Sequence, residues 1–160
     1  MSEKMLDKQY TFEDYRRIVD TLRSEEGCPW DRAQTKESLK PFMIEEMVEA
    51  AAAVNANDME NLCEELGDQL LLILLQCSIA RENGSFSLDD VIQKAAEKMI
   101  RRHPHVFPDE NGEKHEVDWD EIKRQEKAGK TPEQLRRAKE AVKEAALETA
   151  EYIQKHMLCG

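Results

Sequence analysis

Four acidic residues fall into two pairs, Glu46 with Glu49 and Glu65 with Asp68, each pair spaced by three. That spacing places both members on one face of a helix. Two such pairs on adjacent antiparallel helices can converge, and four hard oxygen donors suit Mg²⁺, with Mn²⁺ as a substitute. A redox di-iron site in a helical bundle adds Glu-x-x-His motifs. No histidine follows these acids at that spacing, which disfavours such a site. Glu-rich helices also occur as plain solvated surface, and Glu45, Glu60 and Glu64 are open to that reading. The run Leu70 to Leu75 follows Glu65 and Asp68 directly. Carboxylates that enter a core beside such a segment are costly unless a cation compensates them.

A second group of side chains carries the opposite charge. Lys94, Lys98, Arg101 and Arg102 are spaced to share one helix face in a strongly acidic chain. Arginine forks and lysine point charges can neutralise a polyphosphate. The same cations also suit the last turn of a helix through its dipole, so both roles stay open. Trp119 and Lys123 lie one helical turn apart. The indole could stack on a base beside a lysine on phosphate, or it could anchor a core. His103 and His105 have no third partner at zinc spacing and read as structural or phosphate-adjacent.

Helices must position these groups. Thr11 with Asp14 forms a capping-box pattern ahead of Phe12, Tyr15, Ile18, Val19 and Leu22 at helical spacing. Gly27-Cys28-Pro29-Trp30 breaks that helix. A second begins between Thr35 and Pro41 and runs to about Asn55, with an apolar stripe of Leu39, Met43, Met47, Ala50 and Val54. Asn57-Asp58 ends it and caps a third helix from about Met59 to Asn83. Apolar almost all round from Leu70 to Leu75, the third helix is expected to be central. Ser87 and Asp90 open a fourth helix that Pro104 closes. Residues 108–118 read as loop, and a short helix spans about Trp119 to Lys127, ended by Gly129. Thr131 with Gln134, and Pro132 at the first helical position, opens a final helix. Its stripe, Leu135, Ala138, Val142, Ala145 and Tyr152, predicts an amphipathic element packing on the same domain or on a dimer partner. No strand, repeat or low-complexity linker is evident.

Bulk properties agree. The 160 residues suit one domain, and 36% charged with 6% aromatic residues favours helices. A formal net charge of -11 argues against a nucleic-acid polymer as partner. Cys28, Cys63, Cys77 and Cys159 form no CxxC pair, which predicts reduced thiols in a cytoplasmic protein. The start MSEKMLDKQY is polar and lacks a signal-peptide core, and no apolar run is long enough to span a bilayer.

Taken in order, Gly27-Cys28-Pro29-Trp30-Asp31, Glu45-Glu46-Met47-Val48-Glu49, Glu64-Glu65-Leu66-Gly67-Asp68 and Arg101-Arg102-His103-Pro104-His105-Val106-Phe107 resemble the MazG family of nucleoside triphosphate pyrophosphohydrolases. The resemblance covers roughly Phe12 to Lys127. EExxE with ExxD is shared by the wider all-alpha NTP pyrophosphatase superfamily; CPWD and RRHPHVF are more specific. The resemblance implies an all-α helical bundle that forms a homodimer or higher homo-oligomer, with residues 1–130 as the catalytic domain; residues 131–160, the amphipathic C-terminal helix, carry no motif of that family. It implies Mg²⁺ on Glu46, Glu49, Glu65 and Asp68. Lys98, Arg101 and Arg102 would bind the triphosphate, and Trp119 and Lys123 would complete the nucleotide pocket. The implied reaction converts an NTP or dNTP to nucleoside monophosphate and pyrophosphate, with Glu45 a candidate to orient the water. The alternatives are a non-enzymatic helical nucleotide-binding protein, and a dUTPase-like or phosphoribosyl-ATP pyrophosphohydrolase.

Overall fold

A computed structural model describes residues 9–158; residues 1–8 of the polar N-terminal stretch and Cys159 lie outside the described residues. Among the described residues seven helices follow in order: α1 Phe12–Leu22, α2 Pro29–Ala33, α3 Lys40–Ala56, α4 Met59–Glu82, α5 Leu88–Arg102, α6 Trp119–Ala128 and α7 Pro132–His156. The chain divides into two compact units, the first ending at Leu88 and the second beginning at Asp89.

Local chemistry sets the boundaries of the first unit. The Thr11 hydroxyl accepts from the Asp14 amide at 3.2 Å, and the Asp14 carboxylate accepts from the Thr11 amide at 3.1 Å. α1 ends where the Cys28 amide bonds back to the Leu22 carbonyl at 2.8 Å. Gly27 is required in that turn, since a Cβ there would collide with the carbonyl oxygens of Thr21 and Leu22. The break expected over Gly27 to Trp30 is real but shorter than expected, because Pro29 starts the five-residue α2. Proline at the first position has its φ preset and no N–H to leave unpaired. Pro41 sits in the first turn of α3. Asn57 then takes the left-handed conformation (φ 55°), and the Asp58 carboxylate caps α4 by accepting from the Asn61 amide at 3.1 Å. α3 and α4 therefore form a tight helical hairpin.

α4 packs on both α3 and α1. The core consists of Val19, Leu39, Leu72, Leu74, Leu75 and Ile79, with Tyr15, Phe42, Leu70 and Leu71 half-buried against it. Two expectations need correction. The buried centre of α4 is not Leu70 to Leu75: Ile73 is exposed, and burial is densest from Leu74 to Ala80. On α3, Met43, Met47 and Val54 face outward, whereas Leu39, Ala50 and Ala53 are buried. The inward line runs through Leu39, Phe42, Glu46, Ala50 and Ala53. Small alanines admit close helix approach, so size outweighed hydrophobicity along this seam. The consequence matters for chemistry, because Glu46 lies on the inward line itself.

In the second unit, Ile122 of α6 is buried, and no residue of α5 or α7 is buried. The Thr131–Gln134 capping box opens α7 as expected. Between α5 and α6, Asp109 organises the loop: its carboxylate accepts from the amides of Asn111 and Glu113 at 2.9 Å each and pairs with His115 Nε2 at 2.9 Å. His115, followed by those two amide bonds, holds the Asp109 carboxyl below its ordinary range. Cys28, Cys63 and Cys77 carry free thiols.

Candidate metal centre and basic cluster

The α3–α4 hairpin brings three of the four expected carboxylates together. One oxygen each from Glu46, Glu49 and Glu65 lies within 4.8 Å of the other two. Glu65 is buried at 8% exposure, Glu46 is half-buried and Glu49 is exposed. Asp68 stands outside that tightest set, yet its charge acts on both Glu46 and Tyr15. Glu45 also lies outside it.

Crowding of like charges has an electrostatic signature. The Glu46 carboxyl is pushed up to about 7. Burial is the largest cause, followed by the charge of Asp68, a hydrogen bond with Glu65, and the charges of Glu49 and Glu65. Burial and the Asp68 charge also raise the Tyr15 phenol. These are the marks of a site that lacks positive charge. An all-oxygen donor set with one buried member fits a hard divalent cation, which would restore the ionised form of Glu46.

Two supports were not legible in the residue spacing. Gln69 Nε2 donates to the Glu46 carbonyl at 3.1 Å, tying α4 to α3 beside the acids. The Tyr15 hydroxyl makes a long bond, 3.5 Å, to the Gly67 carbonyl, between Glu65 and Asp68 in the chain. A tyrosine at helical spacing signals only core, and a glutamine one residue past ExxD signals nothing by itself.

The basic residues belong to the second unit. Arg101 Nη2 donates to Glu126 Oε1 at 2.9 Å. Arg102 grips the same carboxylate twice, through Nε to Oε1 at 2.9 Å and Nη2 to Oε2 at 2.7 Å. No local spacing points to Glu126, whose partners lie 24 and 25 residues away in the chain. Trp119 is 48% exposed, so the indole is not a buried core anchor. It meets His103 edge-on, with centroids 6.4 Å apart. His103 Nδ1 lies 2.6 Å from the Met99 carbonyl, and its ring centroid is 5.7 Å from that of His105. Lys98 and Lys123 lie on α5 and α6 and are exposed.

α6 depends on its cap. Asp118 Oδ1 accepts from the amides of Asp120 and Glu121 at 3.0 Å each. Asp118→Ala should cost about 1 kcal/mol of local helix stability. Amide exchange across the first turn of α6 should then speed up about fivefold, and unchanged exchange there would contradict the role of this cap.

Known proteins share these segments. Residues 34–107 match the MazG nucleotide pyrophosphohydrolase domain. Over 119 residues the chain is 50% identical to a protein of Thermotoga maritima named nucleoside triphosphate pyrophosphohydrolase/pyrophosphatase MazG, covering 74% of this chain and 46% of that protein. It is 38% identical over 117 residues to the nucleoside triphosphate pyrophosphohydrolase of Escherichia coli, covering 71% of this chain and 44% of that one. The chain thus spans less than half the length of these curated relatives. Among solved structures, a mazG-related protein from Thermotoga maritima superposes with a TM-score of 0.53 at 32% identity, covering 71% of this chain and 98% of that one. With the same helical fold, the matched domain and the acidic hairpin in place, the chain belongs to the MazG nucleotide pyrophosphohydrolase family.

Proposed function

We propose that the chain is a Mg²⁺-dependent nucleoside triphosphate pyrophosphohydrolase, converting NTP or dNTP and water to nucleoside monophosphate and pyrophosphate. The observation that carries this reading is the convergence of Glu46, Glu49 and Glu65 on one small space, where crowding leaves Glu46 short of positive charge. Glu46, Glu49, Glu65 and Asp68 would hold Mg²⁺, or Mn²⁺ in its place, which supplies charge to polarise the phosphoryl oxygens. Glu45 orients the attacking water and accepts its proton. The water oxygen bonds to the α-phosphorus as the α–β anhydride bond breaks, and pyrophosphate departs with the bonding pair. Lys98, Arg101 and Arg102 offset charge on the phosphate chain. Trp119 presents an exposed indole face to the base, and Lys123 a cation beside it.

Family membership supports the reading, and the exposed apolar side chains Met43, Met47, Val54 and Leu66 support pairing of two copies through the α3–α4 hairpin. Residues 1–130 form the catalytic part of the proposal, and α7 packs its stripe on the same domain or the second copy. No helix among the described residues is long and apolar enough to cross a membrane; a cytoplasmic setting is part of the same proposal.

The deciding experiment is a panel of common and damaged ribo- and deoxyribonucleoside triphosphates assayed for pyrophosphate. Release that requires Mg²⁺, stops on chelation and is lost in Asp68→Ala is the expected result. A folded protein that releases none from any substrate would make this a binding module. Release from dUTP alone would make it a dUTPase-like enzyme.

A further inference from the structure

The α5–α6 cluster contains one residue that the proposed reaction does not use. Glu126 receives three N–H bonds from two adjacent guanidinium groups. One carboxylate against two cations leaves the cluster net positive. Arginine carries five N–H donors; Arg102 uses two of them on Glu126 and Arg101 one. Both guanidiniums therefore keep open edges, with the Arg102 plane held by two bonds and Arg101 tethered by one.

Trp119, Lys123 and Glu126 recur at steps of four and three along α6, which places them on one helix face. Two contacts turn that face toward the end of α5: Glu126 on the arginines and Trp119 on His103. We propose that Glu126 is a positioning residue for phosphate binding, fixing the Arg101 and Arg102 guanidiniums beside Trp119 and Lys123 before an anion arrives. This rests on the reading of the α5 cations as the polyphosphate contacts.

The physical case is preorganisation. Two like-charged side chains on neighbouring residues repel and hold much rotamer freedom, which an anion would otherwise have to remove on binding. A carboxylate that pairs with both removes that cost in advance. Arg102, and then Arg101, hold the Glu126 carboxyl down to about 2, so the clamp is ionised at neutral pH.

The test separates this idea from the catalytic one. Binding of inorganic tripolyphosphate is measured by calorimetry without divalent metal, so no cation on the acidic site can bridge to the phosphates. Wild type is compared with Glu126→Ala, Glu126→Gln, Glu126→Asp and the double variant Arg101→Ala/Arg102→Ala, with helix content followed by circular dichroism. Glu126→Ala and Glu126→Gln are expected to weaken binding about tenfold, with Glu126→Asp recovering part of it. In turnover with nucleotide, KM should rise by a similar factor while kcat stays within about threefold. Unchanged affinity in folded Glu126→Gln overturns the proposal. Tighter binding overturns it too, since Glu126 would then be a competitor for the arginines. Wild type binding no better than the double arginine variant also overturns it. Pyrophosphate release by wild type is scored separately: its absence sinks the catalytic reading and leaves the binding comparison standing.

Discussion

Glu46→Gln should abolish turnover and at the same time stabilise the metal-free protein. Loss of one of the carboxylates proposed to hold the metal would remove several kcal/mol of charge stabilisation, roughly a thousandfold in rate. The stability gain follows from the crowded hairpin. A protonated Glu46 can donate to Glu65, and a glutamine amide can do the same without like-charge repulsion. The sign of the linkage is set by the raised carboxyl. Folded Glu46 holds its proton up to about 7, against 4.5 ordinarily. Between those values the folded state binds more protons than the unfolded one, so stability falls as pH rises and levels off above 7. The full shift corresponds to about 3 kcal/mol, and partial solvation of a half-buried group reduces the measurable effect to about 1–2 kcal/mol. Urea denaturation at pH 5 and pH 8 without metal reads it directly: wild type should lose stability between the two, and Glu46→Gln should lose less. Magnesium affinity should rise with pH up to about 7, by as much as tenfold per unit, as the cation competes with that proton. Equal pH slopes for wild type and variant would remove Glu46 from the centre of the charge cluster.

The second large effect concerns Arg23. Its side chain is 5% exposed, and it ties three segments together. Nε and Nη2 pair with Glu82 at 2.8 and 2.6 Å, while Nη1 donates to the carbonyls of Asp31 at 2.5 Å and Gln34 at 3.4 Å. Glu82 is 45% exposed, so its ion pair is partly screened; the Asp31 carbonyl keeps its bond from the Gln34 amide, so the vacated buried space and the lost guanidinium contacts dominate the cost of truncation. Arg23→Ala should lose about 3 kcal/mol in equilibrium unfolding. Arg23 also holds the Glu82 carboxyl below its ordinary range. Such a group stabilises the fold above its unfolded value and ceases to as pH falls through the folded one, so the gap between wild type and Arg23→Ala should narrow in acid. A cost under 1 kcal/mol at neutral pH would mean that the segment around Asp31 is held by other contacts.

Much of the helical layout was legible because its punctuation is local chemistry. Thr11 with Asp14, Asp58, and Thr131 with Gln134 each cap a helix start within three residues, and the structure has those bonds. Glu46, Glu49 and Glu65 were legible for the same reason, since a spacing of three decides a helix face. The buried line on α3 departs from the apolar stripe because small alanines, not the large apolar residues, take the seam. Met43 and Met47 are the more hydrophobic, but Ala50 and Ala53 let α4 approach, and they are the ones buried. Five-residue α2 was too short to show a period. Glu126 could not be seen at all, because its pairing with Arg101 and Arg102 crosses a loop and has no fixed offset to search for.

The left-handed Asn57 and the cap on Asp58 have a kinetic consequence. A link this short makes the contacts between α3 and α4 local in sequence, and local contacts close fastest because little chain entropy opposes them. Glu46, Glu49 and Glu65 all lie on that hairpin. The acids are therefore gathered by the part of the chain able to zip up earliest, so their mutual repulsion bears on the folding pathway and not only on its end point.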